Sequence, residues 1–150
     1  MAAGVYLLLI KVKPCKIRVG SLGKLSFGGF YCYVGSAPSF ARIKRHMRRK
    51  KKRFWHIDYL LSKGKVVKVF WKKARREEEC KLAKILAENF EAVEGFGSSD
   101  CNCISHLFKV EKARLEKIVK KEKMEELAKV RFKLCRATLL LLSLIHISEP

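Results

Sequence analysis

Two tyrosines, an arginine and a glutamate in this chain have the side-chain chemistry for phosphodiester hydrolysis: Tyr6, Tyr33, Arg42 and Glu79. That reaction needs a metal to polarise the phosphate, a group that orients or deprotonates water, and a cation for the developing charge. Both tyrosines sit in short aromatic–glycine strings, Gly4-Val5-Tyr6 and Tyr33-Val34-Gly35. Residue types alone leave rivals open. Tyr31 shares a strand face with Tyr33, and Arg42 is one of nine Lys or Arg in residues 42–53. Glu79 follows Glu77 and Glu78, and acids suit the first turn of any helix because they favour its dipole.

Other side chains offer other chemistry. Cys101, Cys103 and His106 put thiols and an imidazole close together, and Cys80 or His56 would complete a tetrahedral zinc site. The alternative is a polar loop beside the cleft, with Ser99, Asp100 and His106 near a phosphate. His56 and Asp58 are either acid–base partners or hydrogen-bonding groups at a helix start. Arg45, His46, Arg48, Arg49, Lys50, Lys51, Lys52 and Arg53 form a basic run beside Arg42, Phe54 and Trp55. Such a run suits nucleic-acid backbone contact, which gives affinity and salt dependence without sequence choice.

The elements that must position these groups read as an α+β fold: a small mixed central sheet flanked by helices, with a C-terminal charged helix. Val5 to Val12 reads as a buried strand. Lys16–Val19 and Lys24–Phe27 pair through Gly20-Ser21-Leu22-Gly23, and Phe30–Gly35 forms a further strand after Gly28-Gly29. Ser39 is a candidate N-cap for a helix to about Lys50. A short helix follows over Phe54–Leu61, then a strand over Lys65–Trp71. Leu82, Ile85, Leu86 and Phe90 mark a helix over Glu77–Phe90. Residues 95–99 read as a loop, and Ile104–Val110 as a short strand. The lysine–glutamate sequence from Glu111 to Arg136 predicts one long helix that packs as an appendage or against a partner. This divides the chain into a domain over 1–110, a basic helical extension over 111–136 and an apolar tail over 137–150.

Charge sharpens the expectation. The chain of 150 residues carries +20, and residues 1–57 hold 14 Lys or Arg and no acid. A polyanionic partner follows, nucleic acid before a membrane surface. The apolar run Val5–Ile10 is shorter than a signal-peptide core and leads into basic residues. Six cysteines without such a signal point to a reducing cytoplasm rather than a disulfide framework. The run from Ala137 to Ile147 is too short to span a membrane. Residues 142–150, Leu-Ser-Leu-Ile-His-Ile-Ser-Glu-Pro, resemble the translation of a transposase adaptor used in DNA sequencing libraries. They are read as an artefact that replaces the true C-terminus.

Four stretches occur in order: Ile17–Gly23, Tyr31–Ala37, Trp55–Leu61 and Gly95–Leu107. With the two aromatic–glycine strings, they resemble the GIY-YIG nuclease superfamily over roughly residues 4 to 110. The closer resemblance is to an uncharacterised archaeal and bacterial branch, sometimes fused to endonuclease III-type repair enzymes. The resemblance implies a GIY-YIG-like sheet, a metal-dependent endonuclease activity on DNA rather than RNA, a role in DNA repair and an archaeal source. It also implies roles. Tyr6 and Tyr33 orient or deprotonate water and contact phosphate, Arg42 stabilises the pentavalent state, and Glu79 holds Mg²⁺ or Mn²⁺. The chain departs from the pattern in two ways: the gap from Tyr6 to Tyr33 is long, and the terminal asparagine of typical members is replaced by the segment 98–106. Two alternatives therefore stand beside the nuclease. One is a nucleic-acid-binding module without catalysis, and the other a zinc-stabilised adaptor that meets a DNA-repair enzyme through residues 111–136.

Overall fold

Six consecutive apolar residues, Val5 to Ile10, are all buried to within 1%, which requires a strand covered on both faces. In the computed structural model, which describes residues 3–48, 55–98 and 102–129, that strand is central. β1 (Gly4–Arg18) pairs with β2 (Lys24–Ala37) through a 3₁₀ turn at Gly20–Leu22. The rest of the chain adds α1 (Ala41–Met47), α2 (His56–Leu61), β3 (Lys65–Lys73) and α3 (Glu77–Asn89). It closes with β4 (Glu91–Ala92), β5 (Leu107–Lys109), α4 (Lys112–Lys121) and β6 (Glu125–Lys129). The sheet order is β4-β5-β2-β1-β3-β6, with every pairing antiparallel.

The α+β expectation holds, and the sheet divides the core in two. Tyr6, Leu8, Ile10 and Tyr31 face one side, where Phe40 and Ile43 of the α1 region and Ile57 and Leu60 of α2 cover them. Val5, Leu7, Leu9, Cys32 and Val34 face the other, against Leu82, Ala83 and Leu86 of α3 and Leu115 and Val119 of α4. This alternation is the two-residue period of a strand.

Two expectations change. The separate short strands before and after residue 13 are one strand with a bulge: Val12 pairs with Gly29 and Cys15 with Phe27, so Lys13-Pro14 opposes Gly28 alone. Pro14 has no N–H to give the ladder, and a bulge is where a sheet tolerates proline.

The long helix expected over 111–136 is also replaced. α4 stops at Lys121, Lys123 takes a positive φ of 58°, and residues 125–129 pair with β3 as a strand. The free edge of β3 and its lysines override the local helix preference of Glu and Lys. Lys68 bonds Glu116 and lies 3.5 Å from Glu126, while Lys72 lies 3.6 Å from Glu122. The apolar face of α4 is thus spent on the sheet rather than held out to a partner. Residues 130–136 and the tail from 137 lie outside the described residues. No described helix is long and apolar enough to cross a membrane.

Candidate functional site

The register between β1 and β2 explains the two aromatic–glycine strings. Tyr6 lies opposite Gly35, and Gly4 opposite Ala37. A Cβ on Gly35 would stand 2.3 Å from Tyr6 Cζ and 2.4 Å from its Oη, so the Tyr6 ring occupies the space a side chain would need. Gly4 does the same for Trp71 of β3, whose ring would meet a Cβ at 2.3 Å. Tyr6 Oη reaches His46 Nε2 of α1 at 2.7 Å. Tyr33 stands edge-on to the same imidazole, at 6.1 Å between ring centroids, and to Phe96 at 6.3 Å.

α1 brings a second set of groups. Arg42 donates to the Ser36 carbonyl at 2.6 Å and lies 5.3 Å from the Trp55 ring centre. Arg45, three residues on, is differently placed. Its guanidinium forks onto Asp58 at 2.8 and 3.0 Å and stacks on Trp55 at 4.4 Å. The Asp58 side chain is fully buried, and its Oδ2 also accepts the Trp55 N–H at the start of α2. Arg45 therefore ties α1 to α2, whereas no carboxylate pairs with Arg42 among the described residues.

The first turn of α3 supplies the acid. Ser36 Oγ donates to Glu79 Oε1 at 2.5 Å, and His106 Nδ1 lies 2.8 Å from Glu79 Oε2. Burial works against the charge on Glu79, but the His106 and Ser36 hydrogen bonds and the Arg76 charge outweigh it, and its pKa falls below the ordinary value. The phenols move the other way. Burial first, then the charges of neighbours including Glu79, raises both Tyr6 and Tyr33 above the ordinary tyrosine range. Both remain protonated at neutral pH.

These groups line one cavity of about 430 Å³ at the end of the sheet where β1 begins and β2 and β3 finish. Tyr6, Tyr33, Arg42 and Glu79 all contribute, from β1, β2, α1 and α3. His46, Ser36, Trp55 and Arg76 join them. His46 was assigned to the basic surface by its neighbours in sequence, but it is 3% exposed and lines this cavity instead. Arg45 likewise is committed to Asp58 rather than open to a phosphate. Ser36 and Arg76 carried no signal of their own; only the strand register and the first turn of α3 place them.

Of the remaining candidates, Arg48 is exposed just after α1. Arg49, Lys50, Lys51, Lys52, Arg53, Ser99, Asp100 and Cys101 lie outside the described residues. His56 does not meet Asp58: its Nδ1 accepts the Gly97 N–H at 2.8 Å, and burial lowers its pKa. Cys80, Cys103 and His106 come together, each offering a ligand atom within 4.8 Å of the others.

A divalent cation is consistent with the donor set. A carboxylate has about four lone-pair sites, so Glu79 keeps one on each oxygen after Ser36 and His106 are served. Mg²⁺ is commonly held by one or two carboxylates together with water and substrate phosphate.

Searches of the curated proteins and of the solved structures found no match for the chain. A family described as domain of unknown function DUF123 matches residues 5–129, and the chain belongs to that family.

Proposed function

We propose that this DUF123 member is a metal-dependent endonuclease-like hydrolase of nucleic-acid phosphodiesters, built on the GIY-YIG pattern and acting on DNA. The observation that carries this reading is the convergence of Tyr6, Tyr33, Arg42 and Glu79, from four separate elements, on one cavity. Arg42 lines the cavity without a carboxylate partner among the described residues, which suits it to a phosphate whose charge grows in the transition state. Tyr6 and Tyr33, held protonated, direct water and phosphate oxygens by hydrogen bonds. Glu79 is the ligand for Mg²⁺ or Mn²⁺, which when bound supplies Lewis-acid polarisation of a phosphoryl oxygen. The net charge of +20 supports a polyanionic substrate and predicts strong salt dependence.

The test is cleavage of labelled linear and branched DNA and RNA by the full chain, with Mg²⁺ or Mn²⁺ and with EDTA. Metal-dependent product is expected, reduced roughly 10²–10³-fold by Arg42→Ala and abolished by Glu79→Ala. Undiminished cleavage by both variants sinks the assignment.

One observation favours a second reading. Both Glu79 oxygens already accept hydrogen bonds, as a carboxylate that braces α3 against β2 would. A nucleic-acid-binding module without catalysis is then expected, with steeply salt-dependent binding and no product in any metal.

A further inference from the structure

The long gap between Tyr6 and Tyr33 is filled by the far half of the β1–β2 hairpin. Pairing of β1 with β3 ends where Lys11 lies opposite Lys65, and β5 meets β2 only over Tyr31–Tyr33. From the bulge at Lys13-Pro14 outward, β1 and β2 therefore run on as a two-stranded ribbon. We propose that the outward face of this ribbon is a docking surface for the phosphate backbone of a nucleic-acid duplex, separate from the cavity at the other end of the sheet.

The two faces of the ribbon differ. Ile17, Val19 and Phe27 are buried on one, in the core that Tyr59 of α2 also packs against. A Cβ on Gly20 would lie 3.7 Å from the Tyr59 ring, so the ribbon rests on α2 and its orientation is fixed. Lys16 and Arg18 flank Ile17 and so point the other way, with Lys24 opposite Arg18. Val12 and Cys15, on either side of the bulge, both belong to the core on the α2 side. Lys11, and Lys65 opposite it, therefore share the outward face. All five cations are exposed.

Their lack of acids carries the inference. Arg18 directly opposes Lys24 and Lys11 opposes Lys65, and like charges so placed repel. Among the described residues none of the five has an ion pair. Lysines further along the same face of β3 are treated differently: Lys68 bonds Glu116, and Lys72 lies 3.6 Å from Glu122. Where α4 covers the sheet the chain supplies acids; around the ribbon strands it supplies none, since residues 1–57 contain no Asp or Glu. A face of uncompensated cations is complementary to a polyanion.

Shape favours a duplex over a lipid surface. Among the described residues the ribbon has no exposed large apolar side chain for a bilayer to draw in. A two-stranded ribbon fits the major groove of a duplex, about 12 Å wide. Tyr6 and Lys16 are ten residues apart, about 30 Å of strand, near the roughly 34 Å of one duplex turn. A duplex longer than about one turn thus has the length to meet both cavity and ribbon. Such backbone contact adds affinity and register rather than sequence choice. The inference rests on the nucleic-acid reading above but not on catalysis.

The test is fluorescence-anisotropy binding of a DNA duplex about two turns long by the full chain, in EDTA and across a salt series. A triple variant, Lys16→Gln with Arg18→Gln and Lys24→Gln, should bind more weakly. It should also flatten the dependence of log affinity on log salt by about 2.7, at roughly 0.9 per lost phosphate contact. Lys117→Gln with Lys120→Gln and Lys121→Gln removes the same charge from the exposed side of α4, and should leave the slope within about 1 of the unmodified chain. Lys16→Arg with Lys24→Arg should keep both affinity and slope. Circular dichroism confirms that each variant is folded. An unchanged slope in the ribbon variant, or an equal loss in the α4 variant, overturns the site. So does a ribbon variant that loses binding to phosphatidylserine vesicles but not to the duplex, which assigns the face to a membrane. An unmodified chain that binds no duplex removes the nucleic-acid reading as well. Ribbon-dependent binding without cleavage in any metal leaves the ribbon standing and removes the hydrolase alone.

Discussion

Gly35→Ala is the smallest change that should disable the cavity, and its cost can be worked out. The new Cβ would lie 2.3 Å from Tyr6 Cζ, against about 3.5–4.0 Å for a carbon–carbon contact. The ring must retreat by more than about 1 Å. Its hydroxyl is held to His46 Nε2 at 2.7 Å and the ring is 1% exposed, so retreat breaks that bond inside the core. Overpacking of this kind costs about 1–3 kcal/mol, and a buried polar group left unpaired costs a further 1–3 kcal/mol, roughly. A loss of about 2–6 kcal/mol follows. Gly35 does not have a positive φ, so crowding alone accounts for it. Urea unfolding should show a lower midpoint with little change in slope. The decisive control is Tyr6→Leu, which removes the ring. In that background Gly35→Ala should cost less than about 1 kcal/mol, a coupling typical of residues in contact. Equal cost in both backgrounds, or no cost in either, would refute the reasoning.

Asp58→Ala should be strongly destabilising, by roughly 3–5 kcal/mol, because it strands Arg45 against a buried site and uncaps α2; a loss below about 1 kcal/mol in denaturant melts counts against the Arg45 tie. For His56, burial places the folded pKa below the ordinary 6.5, while the unfolded chain takes up its proton near that value. The unfolded state then binds more protons, so stability is full above about pH 6.5 and falls as pH drops through the folded pKa. His56→Asn, whose side-chain carbonyl can still accept the Gly97 N–H, should flatten that fall; unfolding midpoints with identical pH slopes would contradict it.

Much of the positioning was legible because it is local. The alternation of Tyr31 and Tyr33 with Cys32, the acidic first turn before Glu79 and the turn at Gly20–Gly23 each sit within a few residues of their cause. What escaped depends on distant partners. Arg42 and Arg45 are the same residue type on one short helix, and only Asp58, 13 residues from Arg45, separates them. His46 looked like part of a basic run until Tyr6, 40 residues earlier, claimed its ring. His106 pairs with Glu79, and no spacing in the sequence announces it. β6 was masked by good helix formers, since the free edge of β3 that recruits it is invisible in a local window.

The direction of the tyrosine shifts constrains how the proposed hydrolysis can run. A phenol that burial holds well above its ordinary pKa gives almost no phenolate at neutral pH, so Tyr6 cannot wait as a preformed base. It serves either as a neutral hydrogen-bonding group or as a relay that passes its proton on as it receives another. A relay requires a proton-exchanging partner already in contact, and His46 Nε2 stands at 2.7 Å on a ring that is buried. Tyr33 has only an edge-on ring contact with that imidazole. In the proposed reaction the two tyrosines would therefore not be equivalent: proton movement would fall to the Tyr6–His46 pair, and Tyr33 would be left to position. Glu79, held charged across the same cavity, raises both phenols further. Neutralising it with a bound cation would ease the removal of the Tyr6 proton, so in the proposed reaction metal binding and proton transfer would be coupled through the field of one carboxylate.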